Sequence, residues 1–297
     1  EKIVADYVGV KYAVAVVNGT SALHVSLIAC GVEPDDEVIV PTLTFIAPVN
    51  VVKYCSAYPV FMDCVKGTLC LDVQKVMDFL SKECEQKQDG HTYNKKTKRR
   101  IKAVIPVHVF GHPVEMDDLL EICQLYNIDI IEDATESLGS EYKGQRTGSF
   151  GKLACLSFNG NKIITTGGGG MVVTNDENLA KRVKHLSTQA KSDPIEYDHD
   201  EIGYNYRLTN IQAAMGVAQM EKLGEFVKAK RENALMYKEL LSEVFEVKFI
   251  WESPCAKSNF WFYTIKVNSE HKKPLMEYLL SRNIQIRPIW KLIHALP

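Results

Sequence analysis

The chain has 297 residues, too many for one small core, and length alone predicts about two domains. Hydrophobic residues make up 46% and charged residues 24%, the balance of a soluble globular enzyme. The 35 basic and 37 acidic residues leave a formal net charge of -2, so no global electrostatic footprint points to nucleic acid or an acidic membrane. No apolar run approaches the ~18 residues needed to span a bilayer, and no signal peptide is visible. Glu1 does not look like a natural start and KLIHALP looks unfinished, so both termini are expected truncation points.

The first two-thirds alternate short apolar strands with helical patterns. Strands are expected at 13–17, 37–40, 59–62, 101–107, 128–131, 154–158 and 171–174. They are rich in Val and Ile and mostly lack polar alternation, as in strands buried on both faces. Helices are expected at 21–30, 72–85, 116–126 and 177–186, the last with Asp176 as N-cap. This rhythm predicts an α/β fold with a mostly parallel central sheet flanked by helices. Residues 82–100 form a polar insertion ending in Lys95, Lys96, Lys98, Arg99 and Arg100. A solvated loop is the ordinary reading of such a run, and binding of a phosphate-rich ligand is the alternative.

The pattern changes near Thr188. The stretch QAKSDPIEYDHDEIGYNYRL has few core residues and reads as a long loop. Helical patterns follow at 210–222 and 226–244. Then come strand-like VKFIW and FWFYTIKV, a helix near 274–282 and a strand near 285–288. The expected division is a large α/β domain, 1–188, and a smaller α+β domain, 189–297. The eight cysteines include no CxxC pair, which argues against a zinc ribbon or a redox motif. Several lie in apolar runs, such as Cys30 and Cys155, so they read as buried free thiols of a reducing cytoplasm. No metal site is expected.

Four features carry chemistry. Lys162 follows a strand and a short polar turn and precedes Gly167–Gly170, in SFNGNKIITTGGGG. Glycines permit positive φ and close ligand approach, and partial desolvation there would favour a nucleophilic amine. An exposed loop lysine is the competing reading. Asp133 ends IDIIED, where open α/β sheets bind ligands, although Asp after a strand also caps turns. Glu132 would point to the opposite face. Gly19, Thr20 and Ser21 of NGTSAL would open a helix whose free N–H groups favour a phosphate, although Thr20 or Ser21 could simply be the N-cap. Phe45 follows a strand, where it could stack on a planar ring or pack in the core. Neither GxxxxGK[ST] nor GxGxxG occurs, which argues against a P-loop and a dinucleotide site. All four features lie at expected strand ends of one sheet.

At these residues the sequence resembles the DegT/StrS-type family of pyridoxal-phosphate (PLP) sugar aminotransferases, of fold type I. SFNGNKIITTGGGGMVVT resembles the family's lysine motif. NGTSAL, VPTLTFIAPVN, IPVHVFG, IEDATESLGS and GYNYRLTNIQAA follow in the family's order. The resemblance implies that Lys162 binds PLP as a Schiff base and shuttles a proton, and that Asp133 pairs with the pyridine nitrogen. It implies that Phe45 stacks on the pyridine and that Thr20, Ser21 and Ser157 hold the phosphate. Glu136 stands where members often carry Gln or His near the ring hydroxyl. Asn205 of GYNYR would reach the phosphate of a neighbouring subunit, which implies a homodimer with shared active sites. Sugar dehydratases of this family carry His in place of the lysine, so Lys162 points to transamination. The wording of the motifs is most similar to enzymes of bacillosamine- and legionaminic-acid-type pathways. The implied reaction moves an amino group from glutamate to C4 of a nucleotide-linked 4-keto-6-deoxy sugar with a 2-acetamido group. Another PLP reaction, such as a dehydration or a synthase step, and a non-catalytic PLP-binding regulator are the rivals. Members usually carry a further segment before EKIVADYVGV and helices after the LIH motif.

Overall fold

A computed structural model of the chain describes residues 1–193 and 195–297; Pro194, inside the expected long loop, lies outside the described residues. Seven strands form the central sheet: β1 (Tyr12–Val16), β2 (Glu37–Pro41), β3 (Tyr58–Met62), β4 (Ile101–Val104), β5 (Asp129–Asp133), β6 (Leu153–Ser157) and β7 (Gly170–Thr174). Each coincides with an expected strand to within a few residues. Their order is β1-β7-β6-β5-β4-β2-β3. The pairs β6–β5, β5–β4, β4–β2 and β2–β3 are parallel, whereas β7 runs antiparallel to both β1 and β6. The sheet is therefore mostly parallel, with one reversed strand.

β2, β6 and β7 are buried at every residue, which is why their sequences run apolar without alternation. Glu37 opens β2 from a buried position because Asn94 donates to its carboxylate at 2.9 Å. The helices are α1 (Lys2–Val8), α2 (Gly19–Ala29), α3 (Ala47–Tyr54), α4 (Val73–Glu83), α5 (Met116–Leu125), α6 (Glu177–Ser187), α7 (Asn210–Leu240) and α8 (Ser269–Ser281). Asp176 caps α6, as its spacing predicted, by accepting from the Asn178 and Leu179 amides. α2 is buried on nearly every side; its Leu23, Val25 and Leu27 each contribute about 1.5–3 kcal/mol of apolar burial. α3 was not expected: its apolar run starts Ala47-Pro48, and Pro fits the first turn of a helix.

Three expectations fail. The helical patterns at 210–222 and 226–244 are one helix, α7, which runs through Gly224. A glycine inside a helix costs only about 1 kcal/mol against Ala, and buried Leu223 beside it anchors the turn. No strand forms at 285–288, and the two strand-like runs pair only at Lys248–Phe249 with Ile265–Lys266. The insertion 82–100 is not all loop. Cys84–Gln86 and Thr92–Asn94 pair as a hairpin. Arg100 turns inward to Asp36 at 2.6 Å, and Arg99 lies 3.7 Å from the Tyr58 ring centre. Two of the five basic residues in the run thus serve packing; Lys95, Lys96 and Lys98 are exposed.

Candidate active site

The expected site residues gather beyond the C-terminal ends of parallel strands. Asp133 ends β5, Ser157 ends β6, Thr20 and Ser21 follow β1, and Phe45 follows β2. A parallel sheet aims its strand ends, and the helix N-termini after them, at one crevice.

Asp133 is 3% exposed and takes its hydrogen bonds from Thr135, whose N–H lies 3.1 Å from Oδ1. Burial pushes its pKa up, against that hydrogen bonding and the charges of Lys162 and His108. Glu136 is also buried. Its Oε2 accepts from the Phe110 amide at 2.8 Å, and its Oε1 lies 3.6 Å from Lys162 Nζ. Burial pushes Glu136 up to about 7, with Lys162 and the Phe110 amide opposing. Glu132 points the other way, as strand alternation requires: it accepts from the amides of Gly148, Phe150 and Gly151 and from His108 Nε2.

Lys162 is not an exposed loop lysine. Its side chain is 12% exposed, and Nζ sits between Glu136 and the face of Trp261, 3.9 Å from the ring centre. Trp261 is held in turn by its indole N–H, which donates to Asn161 O at 2.6 Å. Gly169, just beyond, adopts a φ of +130° that side-chain-bearing residues avoid.

At the start of α2 the cap is Asn18, which accepts the Ser21 amide at 2.7 Å. The capping alternative for Thr20 and Ser21 is thereby removed. Neither hydroxyl makes a hydrogen bond among the described residues, and both belong to the first helical turn. A Cβ on Gly19 would stand 2.9 Å from Ser157 Cβ and 3.1 Å from Thr135 Cγ2. Only glycine lets the helix start come this close to the ends of β5 and β6. Phe45 is 53% exposed, 6.2 Å from the Trp290 ring, and so is not a core residue. Asn205 is exposed and pairs through its backbone with Thr188. The fold brings Lys162, Asp133, Glu136, Ser157 and the α2 start to one place, and has no contact of Asn205 with them among the described residues.

Trp261 was not anticipated, because FWFY reads as a strand. The signal was there: four successive aromatics, Phe260–Tyr263, exceed what a two-sided strand of a small sheet buries. Thr135, lodged between Asp133 and Glu136 in EDATES, was also passed over.

This donor set fits PLP. A buried carboxylate whose hydrogen bonds come from one residue has room for a pyridinium N–H. A capped helix start with idle hydroxyls suits a phosphate, and an exposed aromatic suits a ring face.

The profile of the DegT/DnrJ/EryC1/StrS aminotransferase family matches residues 1–297. A GDP-perosamine synthase of Escherichia coli O157:H7 is 41% identical over 289 residues, covering 97% of this chain and 74% of that protein. A putative pyridoxal phosphate-dependent aminotransferase, EpsN of Bacillus subtilis, is 39% identical over 298 residues, 100% of this chain and 74% of that one. Among solved structures, a DegT DnrJ EryC1 StrS aminotransferase from Brucella abortus superimposes with a TM-score of 0.90 at 29% identity, covering 99% of this chain and 76% of that chain. With the lysine, the carboxylates and the helix start assembled as above and the family profile matched from end to end, the chain belongs to the DegT/DnrJ/EryC1/StrS aminotransferases and is a PLP-dependent enzyme.

Proposed function

We propose that the enzyme moves an amino group from glutamate to C4 of a nucleotide-linked 4-keto-6-deoxy sugar bearing a 2-acetamido group. The observation that carries this reading is the largely shielded Lys162 amine, 3.6 Å from Glu136 and beside Asp133 at the strand ends. PLP, when bound, supplies an electron sink for the carbon that gains or loses the amine. Asp133 keeps a proton on the ring nitrogen. Lys162 would hold the cofactor, and its Nζ would move the proton of the reacting carbon, with Glu136 as a nearby proton partner. Thr20, Ser21 and Ser157 hold the phosphate, and Phe45 covers the ring.

Asn205 is proposed to complete the phosphate site of a second copy, so that two chains share each site. Its exposure supports this, as do exposed Ile195, Ile202 and Ile211 flanking it. The sheet is complete before residue 188, which supports the division into domains 1–188 and 189–297. All cysteines are free among the described residues, and no described helix is long and apolar enough to cross a membrane. Free thiols support a cytoplasmic enzyme.

The test is amino transfer from ¹⁵N-glutamate to a panel of GDP-, UDP- and dTDP-linked 4-keto sugars, read by mass spectrometry. The E. coli relative's name makes GDP-linked sugars the first arm. Label in the sugar is expected; no label with any sugar sinks the reading. A second reading has one observation behind it: a 3-amino-5-hydroxybenzoic acid synthase shares the fold at 26% identity and a TM-score of 0.89. Under that reading substrate would be consumed without label transfer. A protein that binds PLP yet leaves glutamate unchanged would be the non-catalytic regulator.

A further inference from the structure

Between the Lys162 loop, the middle of α7 and residues 261–263 lies an open cleft of about 550 Å³. Lys162 and Lys230 line it, and no carboxylate does. Lys162 has Glu136 beside it. Lys230 is half-buried and has no acidic partner among the described residues. Its Nζ donates to Trp261 O at 3.0 Å and lies 4.8 Å from the Tyr263 ring centre, so two of its three N–H groups are idle. Burial pushes its pKa below that of an ordinary lysine, the mark of a cation short of a counter-charge.

The neighbouring groups are donors as well. The Tyr263 hydroxyl is buried with no aligned partner, and Asn233 is its neighbour. Gln219 accepts the Thr165 amide with Oε1 at 3.2 Å, which leaves its NH₂ for a ligand. A pocket that offers a cationic charge and several N–H or O–H groups, but no carboxylate, has donors in excess of negative charge. An oxyanion supplies that charge.

We propose that Lys230, with Tyr263 and Gln219, forms an oxyanion subsite of the active site. It would hold either a carboxylate of the amino donor or a phosphate of the nucleotide-linked sugar. The proposal rests on the aminotransferase reading for the identity of these ligands, though not for the binding itself.

The test uses the PLP-loaded protein and calorimetry with two unreactive probes. These are maleate for the donor's carboxylates and, among GDP, UDP and dTDP, the nucleotide that the wild type binds most tightly. Lys230→Gln should weaken one probe about tenfold or more, and Lys230→Arg should restore most of it. Loss on maleate assigns the donor, and loss on the nucleotide assigns the sugar phosphates. Tyr263→Phe, which removes one oxygen, should weaken the same probe several-fold and keeps the test usable if Lys230→Gln folds poorly. Wild type that binds neither probe, or variants within about twofold of it on both, would overturn the subsite. If the probes behave as expected but glutamate never labels a sugar, the proposed reaction fails and the subsite stands.

Discussion

Lys162 lies between two walls that are held in place by different forces. On one side Asp133 and Glu136 hang from the end of β5, a strand flanked on both edges by parallel neighbours and buried under helices. On the other side Ser258–Trp261 follow only a two-residue pairing, Ala256–Lys257 with Glu141–Tyr142. Phe260 and Trp261 bury their rings there, and a set of polar bonds fixes the strap's backbone. Asn259 receives the Trp261 amide at 2.8 Å, donates to the carbonyls of Glu136 and Leu138 at 3.0 Å, and takes Ser140 Oγ with its own N–H at 2.9 Å. Ser258 and Ser140 hydroxyls both donate to Gly111 O. The first wall rests on non-directional apolar burial, which single substitutions erode gradually. The second adds directional bonds to the burial of two rings, so one misplaced atom disturbs several bonds at once.

The largest expected effect belongs to the junction of the two walls. Lys162→Ala should abolish the visible absorbance of lysine-bound PLP and slow the half-reaction with glutamate, the proposed donor, by on the order of 10³-fold or more. Stopped-flow absorbance reads both. An unchanged spectrum would remove Lys162 from the mechanism and the junction with it.

Gly111→Ala tests the polar wall. Gly111 has a φ of +91°, and an added Cβ would stand 1.9 Å from Asn259 Oδ1. Asn259 would have to turn away, losing the Trp261 amide and its two carbonyl partners. The expected loss is about 3–4 kcal/mol in urea unfolding, from backbone strain and unsatisfied buried groups. A loss under about 1 kcal/mol would mean that the strap adapts as a core does.

The apolar wall is sharpened by pH. Glu136 is held at about 7 against an ordinary 4.5, so the folded, cofactor-free protein binds its proton more tightly than the unfolded chain does. Stability is therefore expected to fall as pH rises from about 4.5 to about 7, by up to about 3 kcal/mol. Asp133, also raised by burial, adds to the same slope. Melting temperature against pH should flatten in Glu136→Gln over that window; an equal slope in the variant would place the titration elsewhere.

The difference between the walls also explains what could be read in advance. Valine- and isoleucine-rich runs without polar alternation announced all seven strands, and the placement of the residues at their ends followed from topology. Asp133, Lys162 and the Gly19–Ser21 turn were legible because a strand end fixes where the next residue goes. Trp261 and Asn259 were not legible. Their positions depend on hydrogen bonds to Asn161, Glu136 and Ser140, partners roughly a hundred residues or more away, which leave no local period. The α7 break was misread for a related reason: Gly224 weakens helix propensity locally, and only the burial of Leu223 shows that packing overrides it. Asn205 was named from resemblance alone, and among the described residues it meets no other residue of the site.

The smallest effect argues most closely for two separately held walls. Arg231 and Glu252 form a two-pronged pair, at 2.7 and 2.9 Å, mostly shielded from solvent. Glu252 also accepts the Ser258 amide at 2.6 Å, and Arg231 donates to Ser258 O at 2.6 Å. The pair thus anchors the strap to α7 and touches nothing in β5. Glu252→Gln keeps the shape, removes the charge and leaves one oxygen where two accepted bonds. Its expected loss is about 1–2 kcal/mol. Amide hydrogen exchange should quicken at Ser258–Trp261 while β5 stays protected, because local opening of the strap need not unfold the sheet. Equal quickening in Asp129–Asp133 would mean that the two walls open together, and that burial and hydrogen bonding act there as one unit.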